Sequence, residues 1–463
     1  MEFMKKMSSL FVTIILLMVT VLSGCAGDKI SEVAPPTDEQ VVEGNGEVTS
    51  EGTHLERAYA GEFSGQTVTI MGAFGDNLQL LFEDTLREFN EKTQMNVVYE
   101  QSEDVPTTFG IRFDGGNAPD IVSFPQPGAL REQVGRGRIA NIEEVFSRDY
   151  LEQQYGSSWL DMTMMEGPNG VINAGIWQNV NAKSFVWYPV AEFEENGYEI
   201  PTTWDELIAL SDQMVEDGYY PWTLGLESGA ATGWPATDWI EDFMLRVVSL
   251  EDYDRWVSGD LEFASPEVKK AFDYMEKIWF NEDYVYGGRV GIVNTNFGDA
   301  PKLMFTEPAK ALMIKQGSFI QDFFPDEVEP GDYDFFITPS IDEAYGQPLL
   351  VGGDTMSLVE GQDRPEVRAV LEFLTTGESL RILIENGAAI SPHQDSDLTW
   401  YNSDMNRKIA EAILTADAVR FDGSDLMPAE VGTGSFWTGM VDWVAGATNT
   451  DEALKEIQSG FNK

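Results

Sequence analysis

The sequence predicts an α/β fold with a largely parallel sheet. Short β-branched runs alternate with amphipathic helical stretches, those stretches open on recognisable caps, and 43% of the 463 residues are hydrophobic, enough for full-sized cores. The length suits roughly two to three domains of about 150 residues each. In chain order, Gln66 to Met71 reads as a strand, and Leu78, Leu81, Phe82, Leu86 and Phe89 then recur at helical spacing. Val97 to Tyr99 makes the next strand, and Ile121-Val122 leads a further one to Phe124 after the turn residues Gly115 to Asp120. Thr203 and Glu206 form a capping box ahead of Leu207, Ile208, Met214 and Val215. Ser265-Pro266 opens a helix with Val268, Ala271, Phe272, Met275 and Trp279 on one face. Asp363 and Glu366 are expected to cap a third, with Val367, Val370, Leu371 and Leu374 inward.

Charge excludes whole classes of partner. Asp plus Glu number 79 against 29 Lys plus Arg, a formal charge of -50, so phosphate backbones and anionic lipid repel the chain and nucleic acid is not expected as a partner. The acidic excess reads as solvated surface, of the kind that stays hydrated in high salt. With only His54 and His393, and with Cys25 alone, zinc sites cannot be assembled, and a Ser-His-Asp triad would have to use His393, because His54 lies in a polar segment that reads as unstructured. Phosphate-loop and dinucleotide-binding glycine patterns are missing. No cofactor and no metal are expected. Asp422 and Asp425 match only a fragment of a calcium loop.

The N-terminus carries an address. Lys5 and Lys6 precede an apolar run from Leu10 to Leu22, which ends at Leu22-Ser23-Gly24-Cys25. The run is shorter than the about 20 residues a membrane-spanning helix takes, and small residues before the sole cysteine suit a signal peptidase. The expectation is a lipoprotein signal over 1–24, lipidation of Cys25, anchoring to the extracytoplasmic face of the cell membrane, and a flexible acidic tether over 25–60. An uncleaved anchor with an incidental cysteine is the plainer alternative.

Aromatic residues beside Gly, Pro and Asp point to a ligand. Trp234 sits between Gly233 and Pro235, Trp437 follows Gly434-Ser435-Phe436, and Asp422 and Asp425 flank Gly423-Ser424. A pyranose shows an apolar C–H face and a rim of hydroxyls, so its site needs flat rings and bidentate acceptors. Burying about 100 Å² of ring face is worth around 2.5 kcal/mol. Each Trp can equally fill a hole beside a loop. Paired carboxylates leave a glycoside hydrolase open, although among 79 acids any two neighbours carry little information.

The segments Asn117-Ala118-Pro119-Asp120-Ile121-Val122, Lys183 to Pro189 and Gly197 to Leu207 resemble the extracellular solute-binding lipoproteins (family 1) of bacterial carbohydrate ABC transporters. The surroundings of Trp234, Asp354, Ser391-Pro392-His393, Asp422 to Pro428 and Trp437 are similar to the α-glucoside-binding type. The resemblance spans nearly all of the chain from Gly65 onward. It implies a two-lobed, type II periplasmic-binding-protein-like fold with mixed sheets flanked by helices and a ligand cleft at the hinge. The first lobe is expected over 61–178 with 348–395, and the second over 179–347 with 396–463. It implies no enzyme but a monomeric receptor that captures an α-glucoside or similar oligosaccharide and delivers it to ABC permease subunits. A compatible solute glycoside, trehalose or glucosylglycerol, is the alternative ligand. By the same resemblance Phe124 lines the first lobe, while Trp234, Phe319 and Trp437 line the second. Phe124 and Phe319 stand where maltose-binding relatives carry Trp. Asp354, Lys183, Asp238 and Asp425 are the expected polar contacts.

Overall fold

The computed structural model describes residues 52–462, apart from 103 and 126; the expected signal sequence, Cys25 and most of the expected tether lie outside them. Twelve strands follow one another among the described residues: β1 (Thr67–Gly72), β2 (Asn96–Gln101), β3 (Ile121–Phe124), β4 (Met164–Gly167), β5 (Gly170–Asn173), β6 (Ile176–Ala182), β7 (Phe185–Pro189), β8 (Tyr220–Trp222), β9 (Ala311–Gln316), β10 (Tyr333–Ile337), β11 (Leu349–Leu358) and β12 (Val419–Phe421). One sheet has six strands in the order β12-β11-β3-β1-β2, with β6 also on β11, and a second has four in the order β10-β7-β9-β8. A hairpin of β4 and β5 stands apart from both.

The sheets are mixed, which corrects the expectation of a largely parallel sheet. β1 pairs in parallel with β2 and β3, and β11 with β12, but β11 runs antiparallel to both β3 and β6. In the second sheet β7 is antiparallel to β9 and β10. Alternation of strand and helix predicts parallel neighbours only where successive strands pair. Here β11 arrives from far along the chain and inserts between β3 and β12. β12 joins the six-stranded sheet although residues 396–463 were expected in the other lobe.

Local capping follows the sequence closely at two of three helices. Thr203 accepts from the Glu206 N–H and Glu206 answers at the Thr203 backbone, opening the helix Trp204–Glu216. Ser265 accepts from the Val268 N–H and opens Pro266–Trp279. The third expectation is corrected: the helix Pro365–Leu374 begins after Arg364, without a side-chain cap. Asp363 and Glu366 instead bind Arg368 and Arg364, whose guanidinium groups outcompete a backbone N–H for a carboxylate. Residues 54–59, expected as tether, form a helix with a Thr53–Glu56 capping box, and the Leu55 N–H donates to Glu372 at 2.9 Å. His54 is the first residue of that helix.

Most buried apolar side chains belong to one continuous core, and a smaller cluster collects around Phe109, Val122 and Phe124. Trp239 meets Trp222 and Trp279 edge-on, with ring centroids 5.4 and 5.6 Å apart. That packing clamps the helix Trp234–Val247, buried almost throughout its length, and so fixes the residues it presents.

Candidate functional site

The helix Trp234–Val247 places Asp238, Asp242 and Arg246 at spacings of four, with Glu241 beside them, so four ionisable groups share one buried flank. Buried charges need partners. They come from distant parts of the chain. Lys183, in the link between β6 and β7, donates from Nζ to Asp238 Oδ1 at 3.1 Å and to Asp422 Oδ2 at 2.5 Å. Below it, Lys315 of β9 lies 3.3 Å from Asp242 Oδ2 and donates to the Lys183 carbonyl at 3.1 Å. Arg246 pairs with Asp242 Oδ1 at 2.6 Å.

The turn after β12 completes the cluster. Asp422 Oδ1 accepts from Ser424 Oγ at 2.8 Å and from the Asp425 N–H at 3.0 Å. Glu241 accepts from the N–H groups of Gly423 and Ser424 at 2.9 and 3.0 Å. Asp238, Glu241 and Asp422 bring carboxylate oxygens within 4.8 Å of one another. That spacing suits a cation, and the Lys183 ammonium provides one.

The charges are unequal in their response. Burial alone would lower Lys183, but Asp238 and Asp422 hold it well above the ordinary lysine value. Burial opposes ionisation of Asp422, yet the charge and hydrogen bond of Lys183 bring it down to about 2. Burial pushes Asp238 up to about 7, against the pull of Lys183. Glu241 and Asp425 are pushed well above the carboxylate range, by burial first and by Asp422 second. The site therefore holds one firmly ionised carboxylate among others that share protons.

Aromatic rings stand over this cluster. Trp234 opens its helix, half-buried, with Lys183 Nζ 5.5 Å from its ring centroid and Nε1 donating to Ser228 Oγ at 3.0 Å. Phe319 and Phe297 lie 5.8 and 5.1 Å from it, centroid to centroid. Gly233 has φ +122°, and a Cβ there would come within 2.7 Å of the Trp437 Cβ and carbonyl. Only glycine lets the two tryptophan-bearing segments touch. The Trp437 indole N–H and Asp238 Oδ2 are buried without a hydrogen-bond partner among the described residues.

Of the expected site residues, Lys183, Trp234, Asp238, Phe319, Asp425 and Trp437 are thus brought together. Asp354 lies apart from their contacts, three residues along β11 from Val351, whose carbonyl accepts from the Asp422 N–H at 2.8 Å. Pairing of β6 and β11 shifts register between Gly353 and Thr355, which turns Asp354 out of the regular ladder. Burial pushes its carboxyl up to about 7. Phe124 is corrected: it is fully buried, edge-on to Phe109 at 5.8 Å, and offers no face to a ligand. The side chains of β3 are all buried, with Val122 and Phe124 packed in one cluster with Phe109, Leu130 and Val134 of the neighbouring helices.

Sequence reasoning missed Glu241 as a site residue and gave Asp422 only as part of a cluster. The signal for Glu241 was its place three residues after Asp238 on the same helix. His393 is fully buried, with Nδ1 2.8 Å from Ser391 Oγ and Nε2 3.1 Å from the Leu374 carbonyl. Burial drives it down to about 3, so it is a neutral core imidazole near physiological pH.

A clamped helix, half-buried rings and a charge-balanced bed of carboxylates define a receptor for a small polar solute. The chain belongs to the bacterial extracellular solute-binding proteins, whose family pattern it matches over residues 71–379. It is 40% identical over 401 residues to the osmoprotective compounds-binding protein GgtB of Synechocystis sp., covering 87% of this chain and 94% of that one. It is 37% identical over 400 residues to the alpha-glucosides-binding periplasmic protein AglE of Rhizobium meliloti, covering 85% and 86%. Among solved structures, the bacterial solute receptor AcbH superposes with a TM-score of 0.72 at 20% identity, covering 86% of this chain and 97% of that one. The apo form of RafE from Streptococcus pneumoniae gives 0.68 at 17% identity, covering 86% and 98%. These likenesses show the two-lobed type II periplasmic-binding fold. No helix of the described residues is long and apolar enough to cross a membrane.

Proposed function

We propose that this protein captures a neutral α-glucoside or similar oligosaccharide and passes it, unaltered, to the permease subunits of an ABC importer. The observation that carries this reading is the pair of half-buried rings Trp234 and Phe319, 5.8 Å apart, beside Lys183 and the carboxylates it binds. A pyranose face stacks on such rings, while its hydroxyls donate to Asp238 and Asp425 and accept from the Trp437 N–H. The lobes are those built on the six-stranded and four-stranded sheets, and closure about the segments linking them traps the sugar. Lipidation at Cys25 would hold the receptor on the outer face of the cell membrane, as a monomer within reach of its permease. The name of the Rhizobium relative supports an α-glucoside. The name of the Synechocystis relative, with the charge of -50, supports a compatible solute such as trehalose or glucosylglycerol as the second reading.

Calorimetry with maltose, sucrose, trehalose and glucosylglycerol, each followed by product analysis, tests this. Saturable heat with the ligand recovered intact is the expected result. Release of glucose would make the protein a hydrolase and end the receptor reading.

A further inference from the structure

Arg131 and Arg289 are left over by the pattern of ion pairs; Arg289 donates to the Val444 and Trp443 carbonyls at 2.8 and 2.6 Å and stacks on Phe280. Arg112, Arg138, Arg148, Arg364 and Arg381 each meet a carboxylate. In a chain with 79 acidic residues and 29 Lys plus Arg, that is the expected fate of a guanidinium. Arg131 has no carboxylate partner among the described residues. It is half-buried on the helix Pro127–Gly135, and Nη1 donates to the Leu426 carbonyl at 2.8 Å. Burial lowers it, and no neighbouring acid offsets that effect. One N–H thus positions the fork, while a guanidinium has five donors in all.

Arg131 also lines a cavity of about 610 Å³, together with Ala129, Asp425, Met427 and Thr433. That volume lies within the about 300–1,000 Å³ usual for small-molecule sites. The cavity adjoins the cluster already described, because its wall includes Ser424, whose Oγ is 3.4 Å from Thr237 Oγ1, one residue before Asp238. Asp425 lines this cavity and donates its N–H to Asp422 of the cluster at 3.0 Å, so a ligand that reaches Asp425 shares the cavity with Arg131.

We propose that Arg131 and Asp425 together read the second unit of the glycoside, a neutral sugar ring or polyol, and that this cavity sets the preferred ligand length. The inference rests on the glycoside-receptor reading above. Each hydroxyl of a diol both donates and accepts, so a neutral second unit satisfies the Asp425 carboxyl and the Arg131 fork at once. A carboxylate there would meet Arg131 but also face Glu132 and Glu430 on the same walls. An ammonium group would forfeit Arg131.

The test is calorimetry on the wild-type chain, Arg131→Met and Arg131→Lys, using methyl α-glucoside, trehalose, glucosylglycerol and its carboxylate analogue glucosylglycerate, with melting temperatures measured in parallel. The wild type should prefer trehalose or glucosylglycerol to methyl α-glucoside and to the carboxylate analogue. Arg131→Met should lose about tenfold in affinity for the preferred two-unit ligand, the scale of a lost charge-assisted hydrogen bond, and keep its affinity for methyl α-glucoside. Arg131→Lys should recover part of the loss, and it carries the same comparison if Arg131→Met does not fold. Equal weakening of both ligands with a lowered melting temperature would overturn the proposal, assigning Arg131 to tying its helix to Leu426. Unchanged discrimination, or wild-type preference for glucosylglycerate, would overturn it as well. Failure of the wild type to bind any glucoside would sink the receptor reading together with this inference, whereas the preceding outcomes leave that reading standing.

Discussion

Replacing Asp354 by Asn removes a carboxyl that burial pushes from the ordinary 3.8 up to about 7. In the folded chain this group keeps a proton that the unfolded chain has already released above about pH 4, so stability falls as pH rises from there through about 7. A shift of about three units at 1.36 kcal/mol each corresponds to about 4 kcal/mol, and partial access of solvent to Asp354 reduces that to roughly 2 to 4 kcal/mol. Asparagine keeps the shape and cannot ionise. At pH 4 the two proteins should unfold at nearly the same urea concentration, and at pH 8 the Asn variant should be the more stable by that amount. Asp238, Glu241 and Asp425 are also pushed upward by burial. They act on both proteins alike, so the difference between the two pH profiles isolates Asp354. Urea denaturation followed by tryptophan fluorescence at several pH values measures it, and parallel profiles would refute the reasoning.

Lys183→Met leaves Asp238 and Asp422 buried without their cation. The expected cost is roughly 3 to 5 kcal/mol near neutral pH, seen as a lower urea midpoint. Part of it should return at pH 5, where Asp422, no longer held down to about 2, takes up a proton. Gly233→Ala forces a side chain onto φ +122° and against Trp437. It should cost about 1 to 3 kcal/mol and shift the tryptophan emission, and an unchanged spectrum with full stability would show that the contact is slack. Trp234→Ala should weaken glycoside binding by about 2 kcal/mol in calorimetry, with a smaller change in melting temperature because the ring is half-buried. Unchanged affinity would return Trp234 to the core.

Where information was local, reading the sequence succeeded. The Thr203–Glu206 box and the Ser265 cap each depend on residues three apart, and both helices start where those residues direct. The Asp363 cap failed because Arg364 and Arg368 were equally local competitors and carry charge. Trp234 stands out in the sequence because a large ring between glycine and proline has no place in a regular apolar stripe, and the structure leaves it half-buried at the start of its helix. Phe124 does not, since a buried strand end and a ligand platform have the same local sequence.

The sequence by itself determined composition and local geometry: an acidic chain of strands and capped helices, with one flank of Trp234–Val247 bearing charges at helical spacing. It also held, in short segments, the likeness to sugar receptors. Strand direction belonged to the tertiary structure, because β11 pairs with partners that no neighbouring residue announces. So did the roles of the charges. Lys183 is a buried ion-pair partner because folding brings in Asp422 from 239 residues away, and Arg131 is unpaired because no described acid comes near enough to claim it. Electrostatic roles are set by distance and dielectric in the folded chain, and neither quantity exists until the helices and sheets have packed.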